Sequence, residues 1–166
     1  MKNINQYIIE KLKIRKSKHQ TIVVKDNKEF EKVLTDYITT FADNDEIHLD
    51  LQHIDISELK RLDAPFHNIS KTYKYKIKSI DVTGWDTSNI ESMYALFYDL
   101  KNCEKIIGIE EWDISNVTNM WAMFAFCKKL KLEEELQRKS AESVSPYNRE
   151  DYREEYGETP TMAWEE

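Results

Sequence analysis

Glycine and proline are scarce, three of each in 166 residues, so the architecture is not rich in turns of the Gly/Pro kind. Only two cysteines occur, far from any Cys-x-x-Cys spacing. That excludes a disulfide framework and a cysteine-based zinc site, and makes a reducing, intracellular setting the expectation. The four histidines, His19, His48, His53 and His67, form no His-x-x-x-His pair and no cluster with cysteine, so no metal is expected. No run of 18 apolar residues exists, so no helix is expected to span a membrane. The opening "MKNINQYIIEKLKIRKSK" has neither a continuous apolar core nor a small-residue cleavage site, unlike a secretory signal.

What is present is a polar chain, 40% hydrophobic and 33% charged, long enough for one domain with a real core. Its net charge of −7 is unevenly placed. Residues 1–132 carry 20 basic and 20 acidic side chains, whereas residues 133–166 carry 4 basic and 11 acidic ones. The opposite end is basic: "KLKIRKSK", Lys11 to Lys18, holds five cations. The expectation is a neutral core with an acidic tail.

Ile4, Ile8 and Leu12, with Tyr7 beside them and Asn3 as cap, predict an N-terminal helix. "TIVVK", Thr21 to Lys25, reads as a buried strand. "DNKE" then offers Asp26 as an N-cap with Glu29 three residues on. Phe30, Val33, Leu34, Tyr37, Ile38 and Phe41 follow at helical spacing. "IHLDL", Ile47 to Leu51, alternates and reads as a strand. A strand–helix–strand opening predicts two parallel strands joined by a right-handed crossover.

From the second strand onward the sequence repeats. "DISELKRLDAPF", "DTSNIESMYALF" and "DISNVTNMWAMF" begin at Asp55, Asp86 and Asp113, at offsets of 31 and 27 residues. That period belongs to stacked-repeat proteins. Leu49/Leu51, Ile80/Val82 and Ile107/Ile109 precede the aspartates at matching positions, and Ile54, Trp85 and Trp112 stand directly before them. Leu59/Leu62/Phe66, Ile90/Met93/Phe97 and Val117/Met120/Phe124 follow at i, i+3, i+7, one face of two helical turns. Ser57, Ser88 and Ser115 stand where helix N-caps are needed. An Asp and a Ser in every copy invite a catalytic interpretation, but no histidine recurs with them to complete a triad. Each strand-plus-helix unit instead needs its neighbours to bury its apolar face, with Asp and Ser satisfying loop backbone.

At these residues the chain resembles the BspA-like leucine-rich-repeat proteins, also called the mycoplasma lipoprotein-associated repeat. Their pattern runs Trp-Asp-(Thr/Val)-Ser-Asn-Val-Thr-x-Met-x-x-Met-Phe-x-x-Cys. The likeness covers about residues 47–130, in two clear units and one degenerate one. "INQYIIEKLKIRK" is similar to the start of short intracellular members from phages and mobile elements. The resemblance implies a solenoid of short parallel strands that serves as a binding surface, with no catalytic residues. Relatives that are secreted adhesins carry long arrays, unlike this short one.

The expected fold is therefore α/β: an N-terminal α–β cap (1–46), a short leucine-rich-repeat-like solenoid of about three units (47–132), and an acidic C-terminal cap helix and tail (133–166). Tyr94 and Trp121 share one repeat position, where the first unit has Asp63. Either they form a partly exposed aromatic patch suited to a protein partner, or the later units bury them. The tail places Tyr147, Asp151, Tyr152, Glu154, Glu155 and Tyr156 among acids, a composition that can be a solvated tail or can dock on a basic groove. "KTYKYKIK" carries Lys71, Tyr73, Lys74, Tyr75, Lys76 and Lys78 and is either a strip contacting nucleic acid or a strand entering the second repeat. Cys103 and Cys127 fall on repeat positions that are mostly apolar, which points to packing.

The function expected is a non-catalytic, cytoplasmic protein-interaction module. A sharper form is a phage-encoded anti-CRISPR-type inhibitor that binds the nucleic-acid or guide-RNA groove of a bacterial defence nuclease. Direct RNA or DNA binding and a BspA-like surface adhesin are the alternatives. No enzyme activity, cofactor or small-molecule substrate is expected.

Overall fold

The computed structural model describes residues 21–41 and 43–131. The helix expected at Ile4–Leu12, the basic run Lys11–Lys18, and the acidic extension with Tyr147, Asp151, Tyr152, Glu154, Glu155 and Tyr156 lie outside the described residues. Within them the fold is mixed α/β, with two small parallel sheets and few helices.

Strand β1, Ile22–Val23, leads into helix α1, Asn27–Thr39. Asp26 caps α1, its Oδ1 accepting the Glu29 N–H at 2.7 Å. The Glu29 carboxylate reaches back to the Lys25 N–H at 3.0 Å, one residue beyond the N-cap donor that a capping box uses. Phe30, Leu34, Tyr37 and Ile38 are the buried face of α1, and Val33 and Phe41 pack partly buried beside them.

Strands β2 (Ile47–Asp50), β4 (Ile77–Asp81) and β5 (Lys105–Ile107) form a three-stranded parallel sheet in that order. Ile80 pairs with Leu49 on one side, as the 31-residue offset predicts, but with Ile106 on the other, one residue short of the repeat equivalent Ile107, which is exposed. Strand β3, Ile54–Asp55, follows β2 after a turn closed by Ile54 N–H to Leu51 O at 3.0 Å. Here the expected β–α–β pairing is corrected: β1 pairs with β3, not β2. The turn gives the first unit a second extended side, and β1 joins that side. Nor is β1 a fully buried strand: Val24 is buried, but Val23 is exposed.

The helix expected in each repeat is also corrected. Among the described residues no α-helix occupies the repeat segments 55–66, 86–97 or 113–124. The backbone there runs through turns around a parallel bridge that links Arg61, Ser92 and Asn119. Its amides bond to the next unit rather than four residues back. Leu62 N–H reaches Ser92 O at 2.9 Å, and Met93, Ala95 and Phe97 N–H reach Asn119, Trp121 and Met123 O at 2.8–2.9 Å. An amide committed to this ladder cannot also close a helical turn.

The apolar positions of the repeat are nonetheless the core. Leu59, Leu62, Phe66, Ile90, Met93, Phe97, Met120 and Phe124 are all buried, and Val117 packs partly buried against them. The phenylalanines form a file: Phe66–Phe97 and Phe97–Phe124 centroids lie 6.0 and 5.8 Å apart. Trp85 and Trp112 stack at 5.9 Å, and Phe30 of α1 meets Trp85 edge-on at 5.6 Å. Each such ring, once buried, contributes about 1.5–3 kcal/mol. The file therefore joins α1 to all three units in one core.

One residue position makes the turns possible. Ala64, Ala95 and Ala122, two residues before each Phe, adopt φ of 48°, 50° and 55°. A left-handed alanine costs about 1–2 kcal/mol. The inter-unit hydrogen bonds on either side offset that cost, and the methyls of Ala95 and Ala122 sit in a second buried cluster with Trp121 and Ala125.

Candidate interaction site

The repeated Asp and Ser build turns. Asp55, Asp86 and Asp113 each accept the N–H of the serine two residues on, at 2.9, 3.0 and 2.9 Å. Ser88 also donates its hydroxyl to Asp86, at 2.6 Å. Serine hydrogen bonding holds all three carboxyls below the usual range, opposed weakly by the neighbouring aspartate in the case of Asp55 and Asp86. The serines are thus turn residues, not the helix caps expected. Glu91, three residues after Ser88, does not cap a helix either but pairs with Lys60 of the preceding unit at 2.8 Å.

The asparagine after each of the last two serines tightens the same edge. Asn89 and Asn116 donate side-chain N–H to Ser57 O and Ser88 O, at 2.9 and 2.8 Å. Thr118 Oγ1 does the same to Glu91 O at 3.1 Å.

The Lys/Tyr segment enters the second repeat as a strand only at its end. Helix α2, Lys71–Lys74, comes first, and β4 begins only at Ile77. Ser70 caps α2 by accepting the Thr72 N–H at 3.3 Å. Lys74 is buried, its ammonium 3.0 Å from Asp99 and 5.9 Å from the centre of the Tyr98 ring. Tyr75 donates its hydroxyl to Asp99 at 3.1 Å, and Lys101 lies 4.9 Å over the Tyr75 ring. Lys78 sits between Glu46 and Glu104, at 3.4 and 3.7 Å. Lys71 is exposed, and Tyr73 and Lys76 are half-buried. The segment's cations are divided between an internal ion pair, surface pairs and solvent, rather than aligned on one face.

Tyr94 and Trp121 do stack, centroids 5.6 Å apart and planes 19° from parallel. The exposed-patch expectation fails at Trp121, which is only 6% exposed. The ring backs Tyr94, which is half-buried at the rim of a cleft of about 200 Å³. Glu31 of α1, Asp63, His67, Asn68, Tyr94 and Tyr98 supply its polar and aromatic lining, and Ala64 and Ala95 complete it. Glu31 accepts from Asn68 Nδ2 at 2.6 Å, which ties α1 to the first repeat. Asp63 accepts from Ser92 Oγ at 2.6 Å, from Tyr94 N–H at 3.2 Å and from the Arg61 guanidinium. Asn27 Nδ2 donates to the Asp63 carbonyl at 2.7 Å.

Residues 69–149 match the family described as "Mycoplasma protein of unknown function, DUF285". That family is associated with BspA-like repeat proteins. The match takes in the second and third repeats, not the first, and the description names no activity. No curated protein and no solved structure matches the chain.

Cys103 and Cys127 are free and buried. Burial pushes the Cys103 thiol up to about 12 and raises Cys127 further. Cys127 donates to the Phe97 carbonyl at 2.9 Å, so both behave as packing residues. Burial lowers His53, against an opposing effect of Asp50. His48 Nδ1 meets Ser79 Oγ at 2.7 Å. Among the described residues no group of three or more His, Cys, Asp or Glu side chains could hold a metal, and no helix is long and apolar enough to cross a membrane.

Two features of this arrangement have a sequence signal that a helical reading of the repeat does not use. Alanine recurs two residues before every repeat Phe, and asparagine follows the serine in the two better repeats. Glu31 and Asn68 have no such signal, because Glu31 precedes the repeats, Asn68 stands where the other units have Asp99 and Phe126, and only the docking of α1 brings the two together.

Proposed function

We propose that the chain is a short leucine-rich-repeat-like solenoid that works as a non-catalytic protein-interaction module, with the cleft beside Tyr94 as its contact site. The observation that carries this proposal is the use made of the repeated polar residues. Asp55, Asp86 and Asp113 hold turns, and Asn89 and Asn116 bind the neighbouring unit, so they serve the scaffold. Tyr94 instead stands half-buried at a concave, acidic and aromatic surface, the kind of residue that anchors interfaces. The acidic excess in residues 133–166 favours a basic partner. A bacterial nuclease with a groove for nucleic acid or guide RNA is such a partner, and inhibition by occupying it is the sharper form of the proposal.

Capture from cells carrying defence nucleases tests it, using the full chain, a variant lacking residues 140–166, and Tyr94→Ala. A basic nucleic-acid-binding enzyme retained by the full chain and lost from both variants is the expected result. If none is retained, and the deletion changes nothing, the inhibitor proposal fails. Direct nucleic-acid binding is the second candidate and would draw on the exposed Lys71 with Lys11–Lys18, because Lys74 and Lys78 face carboxylates. Phosphate contacts predict a steep loss of RNA affinity with salt, and a flat titration excludes them. A surface adhesin would be found at the envelope on fractionation.

A further inference from the structure

We propose that the cleft between α1 and the Tyr94–Tyr98 segment receives a single arginine side chain of the protein partner. The inference rests on the protein-binding proposal and names the chemistry that its contact site selects. Three observations converge on it.

The first is size. At about 200 Å³ the cleft is below the roughly 300–1,000 Å³ of pockets that enclose small-molecule ligands. It suits one long side chain.

The second is charge. Two carboxylates, Glu31 and Asp63, line the cleft, and no lysine or arginine is among its described lining residues. The two acids differ. Asp63 is already engaged by Arg61, Ser92 and the Tyr94 N–H. Glu31 is engaged by the neutral amide of Asn68 through Oε1. An amide leaves the carboxylate charge uncompensated, so Glu31 is the group that a cation would gain most from meeting.

The third is the aromatic lining. Tyr94 and Tyr98 both line the cleft and are held by other rings, Trp121 stacking on Tyr94 and Phe126 meeting Tyr98 edge-on at 5.3 Å; the Lys74 ammonium already lies 5.9 Å from the Tyr98 ring centre, so Tyr94 is the ring assigned to the guanidinium. Rings fixed in this way lose little freedom on binding. A planar guanidinium can lie against a tyrosine face while its edge donates to a carboxylate, whereas an ammonium offers only a point charge. Acid and ring together therefore favour arginine over lysine.

The test is a titration of the full chain, followed by NMR of its tyrosine and glutamate side chains. The probe is the blocked tripeptide Gly-Arg-Gly, compared with its citrulline and lysine counterparts. Citrulline keeps the planar shape and removes the charge. The expected result is saturable shifts at Tyr94, Tyr98 and Glu31, with citrulline weaker by at least about tenfold and lysine in between. Glu31→Gln, at a half-exposed position, should weaken arginine binding about two- to fivefold and leave the melting temperature unchanged. Tyr94→Leu should weaken it by a similar factor, and Glu31→Gln decides the matter if that variant does not fold. Equal shifts from arginine and citrulline peptides, or arginine binding indifferent to Glu31→Gln, overturn the proposal. If the peptide arm fails while Tyr94→Ala still abolishes partner capture, the arginine assignment falls and the protein-binding proposal stands.

Discussion

Replacing Asp99 with asparagine should be among the most damaging single-atom changes available to this protein. Asp99 and Lys74 form the buried ion pair that fixes α2 to the second repeat, with side chains 10% and 4% exposed and 3.0 Å between charges. Asparagine is the mildest probe of it. It is nearly isosteric, and it tolerates the left-handed backbone that Asp99 adopts at φ 61°. What it removes is charge, leaving the Lys74 ammonium buried without a counter-ion. Breaking a buried pair from one side costs about 3–5 kcal/mol. The substituted amide would still offer Lys74 one acceptor, so the low end, about 3 kcal/mol, is expected. In a chain of this length that lowers the melting temperature by roughly 6–12 °C.

Lys74→Met should cost less, about 1–3 kcal/mol, since Asp99 keeps the Tyr75 hydroxyl at 3.1 Å and the half-exposed Lys101 at 3.7 Å. The double variant should be close to Lys74→Met alone, because neither charge is then stranded. Urea unfolding of the four proteins measures the cycle. An Asp99→Asn cost below about 1 kcal/mol, or a Lys74→Met cost exceeding it, would refute the internal pairing and return Lys74 to the surface strip suggested by its sequence.

Gly108 and Gly84 separate steric from conformational strain, since both have positive φ, 85° and 81°. A Cβ on Gly108 would meet the Thr83 backbone at 2.5 Å, whereas one on Gly84 meets nothing within 4 Å. Gly84→Ala should cost only about 1–2 kcal/mol, and Gly108→Ala clearly more, as read by thermal melts. The aspartate turns make stability pH-dependent. Their folded carboxyls lie below the unfolded value, so their contribution is present above pH ~4 and lost as pH falls through the folded values. A triple Asp→Asn variant at 55, 86 and 113 keeps the turn acceptors and should flatten the melting temperature against acid pH; an unchanged slope assigns the acid sensitivity elsewhere. Neither cysteine should react with iodoacetamide at mildly alkaline pH until the chain unfolds, when mass spectrometry should find both alkylated.

The sequence by itself determined most interior positions of the repeat and which positions correspond, Ile107 being an apolar repeat residue that lies exposed. The 31-residue offset predicts the register of Leu49 with Ile80, and both offsets predict the file of Phe66, Phe97 and Phe124, although β5 pairs one residue short of the 27-residue offset. Periodicity can do this because it records where side chains point. It cannot say how the backbone delivers them there. Apolar residues at i, i+3 and i+7 suit a helix, but they equally suit a turn–bridge–turn path whose amides bond to the next unit. The choice between the two depends on partners one repeat away in the chain and on three alanines with left-handed backbone. Tertiary structure alone decided that β1 pairs with β3 and that Lys74 lies inside. It alone also brought Glu31 of α1 to Asn68 and Tyr94 of the repeats. Those outcomes follow from how non-repeated segments dock, and docking leaves no period in a sequence.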